Sequence, residues 1–404
     1  MRAIILLILC AGPLCAGDWP QFLGPQRDCI ARNEAPISGA ADPEPLWQRK
    51  LGSGHAGAVV FKDRVIVFHR QENEIVTESL HAADGRSGWK HSYKTDYRDS
   101  FGFDNGPRAV PCIAEGKIIT HGPEGIVQAL DFETGRLLWS YDTVRELSSP
   151  QGFFGRACSP LITEGKVLLN VGGKNGAGII ALDLQTGKRL WKTSDDEASY
   201  ASPILLPEDR GTSAFFTRAG LAIVNTDDGH LLSKEYFRAE IDASVNAATP
   251  VACGVGRLFF SAAYDVGAGL WHWDSTEKKL TNLWKKSNAL DCHYTTPVYH
   301  NGHLYGLHGR QESGMSLRCI DVTNGKICWE ATDRIQGGTM ILVGDKLLLH
   351  SEEGELWIFK ATPEKFDLLR RSQITRAGHR SHDAFANGML YTRDAEKIVV
   401  MKVK

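Results

Sequence analysis

Apolar residues in this chain come in short runs that enter a turn, and a second short run leaves it. Ala129-Leu130-Asp131-Phe132-Glu133-Thr134-Gly135-Arg136-Leu137-Leu138-Trp139 is the clearest case. Ala181-Leu182-Asp183-Leu184-Gln185-Thr186-Gly187-Lys188-Arg189-Leu190-Trp191 repeats it, as does Cys319-Ile320-Asp321-Val322-Thr323-Asn324-Gly325-Lys326-Ile327-Cys328-Trp329. The shared frame is an apolar pair, Asp, a turn closed by Gly, and Trp four residues after that Gly. Gly supplies the positive φ of a tight turn, so the frame predicts a hairpin whose Asp accepts hydrogen bonds from the turn backbone. A Trp is too large to bury inside one small sheet and must pack on a neighbour. Burying it removes roughly 200 Å² from water, at most ~5 kcal/mol, so one Trp per unit acts as a docking peg.

Weaker copies fill the gaps. Gly85 is followed by Trp89; Asp228-Gly229 is followed by Ser233 at the Trp position; Trp273-Asp274 runs through a longer turn without Gly to Trp284. A repeat of roughly 40–50 residues made of short strands predicts a propeller. Inner strands align as well, several starting with a Pro (Pro111, Pro160, Pro203, Pro250, Pro297), which is tolerated where no ladder donor is needed. Outer strands centre on Trp47, Trp89, Trp139, Trp191, Ser233, Trp284, Trp329 and Leu368-Leu369. The count is eight blades, with seven as the alternative. Pro45 to Leu51 has no strands before it, and the strands at 388–403 lack an outer one. The expected fold is therefore all-β, an eight-bladed β-propeller of four-stranded antiparallel blades, closed by an N-terminal strand that completes the C-terminal blade.

Residues 1–17 read as a secretory signal, with Arg2, an apolar core from Ala3 to Leu9, and Cys15-Ala16-Gly17 as a small-residue cleavage site. Leu14 before Cys15 is bulky where a lipoprotein signal wants a small residue. The signal is too short to span a bilayer, and no later apolar run is long enough for a transmembrane segment. An extended lead-in over 18–45 and a single propeller over 46–404 follow. Export predicts a periplasmic or extracellular location. Cleavage leaves 45 basic against 48 acidic side chains, which gives no general attraction to nucleic acid. Nine Cys fall to seven, with no Cys-x-x-Cys for zinc. Cys319 and Cys328 flank one turn symmetrically, should face each other on adjacent strands, and are a candidate disulfide.

The Asp-x-x-Thr-Gly-x-x-x-Trp frame resembles the repeat of the pyrroloquinoline-quinone-type β-propellers. These include quinoprotein alcohol dehydrogenases and the outer-membrane-assembly lipoprotein BamB. Asp18-Trp-Pro-Gln-Phe-x-Gly-Pro25 with Arg27-Asp28 is similar to the start of many secreted members, although Cys29 stands where a small residue such as Gly is expected. The resemblance covers nearly the whole mature chain and implies the fold; the family holds enzymes and scaffolds alike. Its enzymes stack the quinone between a Trp and a disulfide of two adjacent cysteines, beside calcium and a catalytic Asp. No adjacent Cys pair and no Cys-x-x-Cys-His for haem occur here, and no Trp is expected at the channel mouth. Asp104, Asn105 and Asp383 are the residues that a metal ligand or base would have to come from.

Loops entering the inner strands share one face with the loops between second and third strands. The first set supplies His55, Arg108, Arg156, Tyr200, Asn246, His293, Tyr294, Gln336, His379 and Arg380; the second adds Arg70, His121, Lys174, Arg218, Arg310 and Arg393. The opposite face carries Asp84, Glu115, Glu133, Glu164, Asp228 and Asp345. The first face is expected to be a basic mouth for a small anionic ligand or an acidic peptide, since Arg offers paired donors to such groups. Other motifs carry less. Gly172 to Gly178 lacks the ending of a phosphate loop, consecutive Ser381-His382-Asp383 cannot form a triad, and His379 with His382 lacks a third metal ligand. The expected function is a non-catalytic binding or scaffold platform without metal or cofactor, contacting a protein partner or a small anion. The alternatives are a dehydrogenase using pyrroloquinoline quinone with calcium, and a hydrolase or lyase on the same scaffold.

Overall fold

A computed structural model describes residues 17–378 and 380–404. The signal expected at the N-terminus lies outside them except for Gly17, and so does His379. The chain forms eight sheets in sequence order, and blades 1 to 7 each draw four antiparallel strands from one repeat. Blade 1 runs Val59–Phe61, Arg64–Gln71, Glu74–His81 and Ser87–Lys94. Blades 2 to 7 repeat this order, and blade 7 ends with Leu368–Gln373. Blade 8 takes Ala384–Ala386, Met389–Arg393 and Lys397–Lys402, and its outer strand is Glu44–Lys50, with Trp47 opposite Val400. The expected ring closure is therefore present, and with it the eighth blade.

The repeated turn works as the sequence implies. Asp131 Oδ1 accepts from the Thr134 amide (2.9 Å) and hydroxyl (2.7 Å), and the Gly135 amide closes on the Asp131 carbonyl at 2.9 Å. Each peg then crosses to the next blade. Trp139 Nε1 donates to the Leu184 carbonyl at 3.0 Å, Trp191 to Thr226 at 3.0 Å, and Trp284 to Val322 at 2.8 Å. Trp47, Trp89 and Trp329 do the same towards Ala82, Phe132 and Thr362. The hydrogen bond satisfies the indole N–H while its carbon face is buried, the condition for placing Trp in a core.

Two seams differ. In blade 7 the register puts Arg370, opposite Ile358, at the peg position, rather than Leu368 or Leu369. Its guanidinium turns to the Ala40 carbonyl of the lead-in. Between blades 4 and 5, Ser233 replaces the Trp and Lys278 (φ 51°) replaces the Gly. There Trp273 and Lys278 both approach Asp209, at 3.4 and 3.7 Å, and a recess of about 210 Å³ opens at this seam.

The lead-in does more than lie against the ring. Trp19 exchanges backbone hydrogen bonds with Val60 of blade 1, Pro20 accepts from Ile113 of blade 2, and Cys29 accepts from Leu342 of blade 7. Ile30–Ala31 adds a parallel fifth strand to the inner strand of blade 7. Phe22 meets His382, before blade 8, edge to face at 4.6 Å. Inner strands line the propeller axis, so a segment touching those of blades 1, 2 and 7 crosses the central channel. Trp19, Phe22, Leu23 and Cys29 are buried there. Arg27 reaches on to blade 3, donating to the Pro160 carbonyl at 2.8 Å and the Ser159 carbonyl at 3.2 Å. Burial pulls the Arg27 guanidinium down to about 10.

Candidate functional site

Most of the Arg and His residues expected at the basic mouth hold loops rather than offer free charge. Arg108 donates to Asp99 Oδ2 at 3.0 Å and to the Phe154 carbonyl at 2.9 Å. Arg156 is buried against the Ser149 and Pro123 carbonyls. Arg70 donates to the carbonyls of Glu72 and Tyr97, Arg218 pairs with Glu197, and Arg310 pairs with Glu312. Asn246 is a buried strut, its amide donating to the Thr217 and Phe237 carbonyls at 2.9 Å each. His55 is half-buried and Gln336 is exposed.

The histidines at the ends of second strands are seam ties. His69 Nδ1 accepts from the Gly52 amide (3.0 Å), His308 Nδ1 from the Asp291 amide (3.0 Å), and His121 Nδ1–H donates to the Cys158 carbonyl (3.0 Å). His350 Nδ1 meets Asp383 Oδ2 (3.1 Å) and the Thr392 hydroxyl (2.8 Å), and its Nε2 meets the Thr375 hydroxyl (3.0 Å). Burial depresses all four, His121 and His308 to about 4 and His350 to about 3, so each is neutral at pH 7.

Two groups of mouth residues do come together. Over blades 5 to 7, His293 Nε2 meets the Tyr264 hydroxyl at 2.9 Å and Nδ1 meets Gln311 Oε1 at 2.6 Å. Tyr294 donates to Glu352 Oε1 at 2.5 Å, and Arg380 Nε to Glu352 Oε2 at 3.1 Å. Burial raises the Glu352 carboxyl and the Tyr294 hydroxyl above their usual ranges and lowers His293.

The other group was missed from sequence because it is not charged. Phe101 and Phe103, on the loop from blade 1 to blade 2, are 55% and 67% exposed. Phe101 lies 6.1 Å from Phe103, 5.9 Å from Phe153 and 5.3 Å from Phe154 between ring centroids; Phe154 is 5.5 Å from Tyr200. Arg108 sits over Phe154 and Arg218 over Phe153, each at 5.4 Å. Four amides of the backbone beneath are tied by side chains. Asp99 accepts from the Phe101 amide (2.9 Å) and the Asp104 amide (3.1 Å), and the Tyr200 hydroxyl accepts from the Phe153 and Phe154 amides at 2.8 and 2.9 Å. The phenylalanines are thus presented on an ordered frame. The legible signal was Phe-Gly-Phe and Phe-Phe in loops without strand alternation.

The chain's ten Trp are Trp19 of the lead-in, six pegs, and Trp271, Trp273 and Trp357 on third strands; none is at the mouth. Asp104 accepts from the Gly54 and Gly106 amides at 3.1 and 2.6 Å, tying its loop to the one before blade 1, and Asn105 accepts from the Asp99 amide of its own loop at 2.8 Å. Among the described residues no helix is long and apolar enough to cross a membrane.

The sequence family described as outer membrane protein assembly factor BamB matches residues 36–205 and 72–330. The BamB of Yersinia pestis is 22% identical over 295 residues, covering 70% of this chain and 66% of that protein. The quinohemoprotein alcohol dehydrogenase ADH-IIG of Pseudomonas putida is 33% identical over 124 residues, which is 29% of this chain and only 16% of the dehydrogenase. Among solved structures, BamB of Moraxella catarrhalis superposes with a TM-score of 0.67 at 17% identity, covering 90% of this chain and 98% of that one. The quinohemoprotein alcohol dehydrogenase of Comamonas testosteroni superposes with a TM-score of 0.69 at 13% identity, covering 95% and 80%. At these identities the superpositions speak for the fold.

Proposed function

The chain belongs to the family of the outer membrane protein assembly factor BamB, and from that premise we propose that it is an exported, non-catalytic platform that docks a protein partner on its arginine- and phenylalanine-bearing face. The observation that carries this is the cluster of exposed Phe101 and Phe103 on half-buried Phe153 and Phe154. Large apolar side chains held out in solvent on a hydrogen-bonded frame mark an interaction surface. Arg108 and Arg218 lie over Phe154 and Phe153 but are already paired with Asp99 and Glu197, so the partner is a protein segment recognised through apolar anchors.

A photo-crosslinker placed at Phe103 in the native host tests this, with Leu283 on the outer edge of blade 5 as the control position. One partner trapped at Phe103 but not at Leu283, and lost in the Phe101→Ser/Phe154→Ser variant, supports the reading. Position-independent adducts, or undiminished capture by the variant, overturn it. Titration with pyrroloquinoline quinone and calcium separates it from the dehydrogenase alternative. Saturable binding with alcohol-dependent dye reduction would favour catalysis.

A second observation favours a small anion at another point of the same face. A basin of about 770 Å³ at the seam of blades 8 and 1 is lined by Lys50, Ser53, Asn73 and Arg98, with the loop-holding Arg70 and the carboxylate of Glu72. Lys50 and Arg98 are the cations it offers to a carboxylate or phosphate. Calorimetry with citrate and with inorganic phosphate, on the wild type and on Lys50→Glu/Arg98→Glu, decides it: heat lost in the variant supports the site, and equal heats refute it.

A further inference from the structure

The register of blade 6 places the two cysteines of its turn differently from the symmetric pairing expected from sequence. Across the two outermost strands, Met315–Asp321 and Ile327–Ile335, Cys319 opposes Trp329 and Ile320 opposes Ile327. Cys328 is the extra residue between them. In such a bulge two consecutive residues confront one partner, so Cys328 and Trp329 both face Cys319. The Cys328 thiol lies beside that of Cys319, close enough to act on its ionisation. Cys328 is exposed while Cys319 is buried, and the chain's other described cysteines, Cys29, Cys112, Cys158, Cys253 and Cys292, are all buried.

We propose that Cys319 and Cys328 form a thiol–disulfide pair that closes across the edge of blade 6 by exchange with a small disulfide such as oxidised glutathione. The geometry separates the two roles that such exchange requires: an accessible attacking thiol and a neighbouring resolving thiol. Cys328, as its thiolate, attacks one sulfur of oxidised glutathione. An S–S bond forms to Cys328, the glutathione S–S bond breaks, and one glutathione leaves. Cys319 then gives up its proton to solvent and attacks the Cys328 sulfur, expelling the second glutathione. Two protein thiols are oxidised and one disulfide is reduced to two thiols, so atoms and electrons balance. Burial, followed by the neighbouring Cys328, holds the Cys319 thiol well above its usual range. The second step is therefore the slow one, and the mixed disulfide on Cys328 is a transient species. Closure would brace the residue next to Trp329, whose indole ties blade 6 to the Thr362 carbonyl of blade 7 at 2.8 Å.

The test equilibrates the whole purified protein in graded mixtures of oxidised and reduced glutathione. Free thiols are then alkylated and the Cys319 and Cys328 peptides weighed. The expected result is first a glutathione adduct on Cys328, then its replacement by a Cys319–Cys328 cross-link lacking two hydrogens. Tm should rise with the cross-link in the wild type and stay unchanged in Cys328→Ser, while Cys319→Ala should stop at the adduct. A wild-type adduct that never resolves, or a Cys328 that stays fully alkylatable at every ratio, overturns the proposal. Cys328 is exposed, so its Ser variant is expected to fold and keeps the comparison valid.

Discussion

The indole of Trp139 lies flat against Gly187 of the next blade, so closely that a Cβ there would stand 2.6 Å from the ring carbons. The same relation links Trp47 with Gly85, Trp89 with Gly135, Trp191 with Gly229 and Trp284 with Gly325. The turn glycine therefore serves twice: it takes a positive φ, 69° at Gly187, and it leaves room for the preceding blade's peg. Gly187→Ala should lose ~2–4 kcal/mol, backbone strain plus overpacking. Gly165 has a similar φ of 72° but nothing within 4 Å of the added Cβ, so Gly165→Ala should lose only ~1 kcal/mol. Urea unfolding of the two variants checks this, and equal losses would remove the peg from the explanation.

The seam of blades 4 and 5 lacks both partners at once, Ser233 for the Trp and Lys278 for the Gly. A peg added alone would meet a Lys278 side chain; a Gly added alone would face nothing. Ser233→Trp and Lys278→Gly should each fail to stabilise the protein, whereas together they should show a favourable coupling of ~1 kcal/mol or more. A double-mutant cycle by thermal unfolding measures it, and additive effects would mean that this seam is built on another plan.

The buried histidines give the protein an acid limit. Their folded values lie below the ordinary histidine value, so the unfolded chain binds more protons at mildly acid pH. The stability they confer is complete above about 6.5, falls as pH drops, and is exhausted near 4 for His121 and His308. For fully buried His121 the loss is at most ~3 kcal/mol. Asp18, Glu124, Asp291 and Glu352 are raised by burial and act in the opposite sense, so the histidine effect is read between pH 6.5 and 4 as the difference between the wild type and His121→Asn. The wild-type Tm should fall steadily relative to that of the variant across that interval. A constant difference would refute the assignment.

The peg frame made most of the fold legible. A Trp at a fixed distance from a turn Gly has few structural uses, and its recurrence counted the blades. Where the pegs are replaced, the pattern lost its hold: Arg370 looks like any surface cation until the ladder places it opposite Ile358. The chemistry of the expected mouth was not legible. The order of strands and loops offers Arg108, Arg156 and Arg70 as candidates for one face, but it cannot show the carbonyls of Phe154, Ser149 and Tyr97 that occupy them. Phe101 and Phe103 escaped notice because apolar loop residues resemble ordinary core until their exposure is known.

The channel segment was the least legible element, since 18–37 has neither alternation nor a partner nearby in sequence. Its contacts with the inner strands of blades 1, 2, 3 and 7 make it a strap across the ring. Trp19 is its deepest anchor on blade 1, 2% exposed, while Arg27 on blade 3 is held by carbonyls without a carboxylate. Removing the Trp19 ring should leave a cavity beside Gly24, where a Cβ would stand only 3.0 Å from that ring. Trp19→Ala is therefore expected to lose ~3–5 kcal/mol, the usual range for a buried aromatic. Amide exchange localises the effect: protection should fall at Val60, Ile113 and Leu342, whose amides bond to the strap, and should hold at Trp139 and Trp191 on the outer strands. Uniform loss across all blades would mean that the strap is part of one cooperative ring rather than a separate clasp.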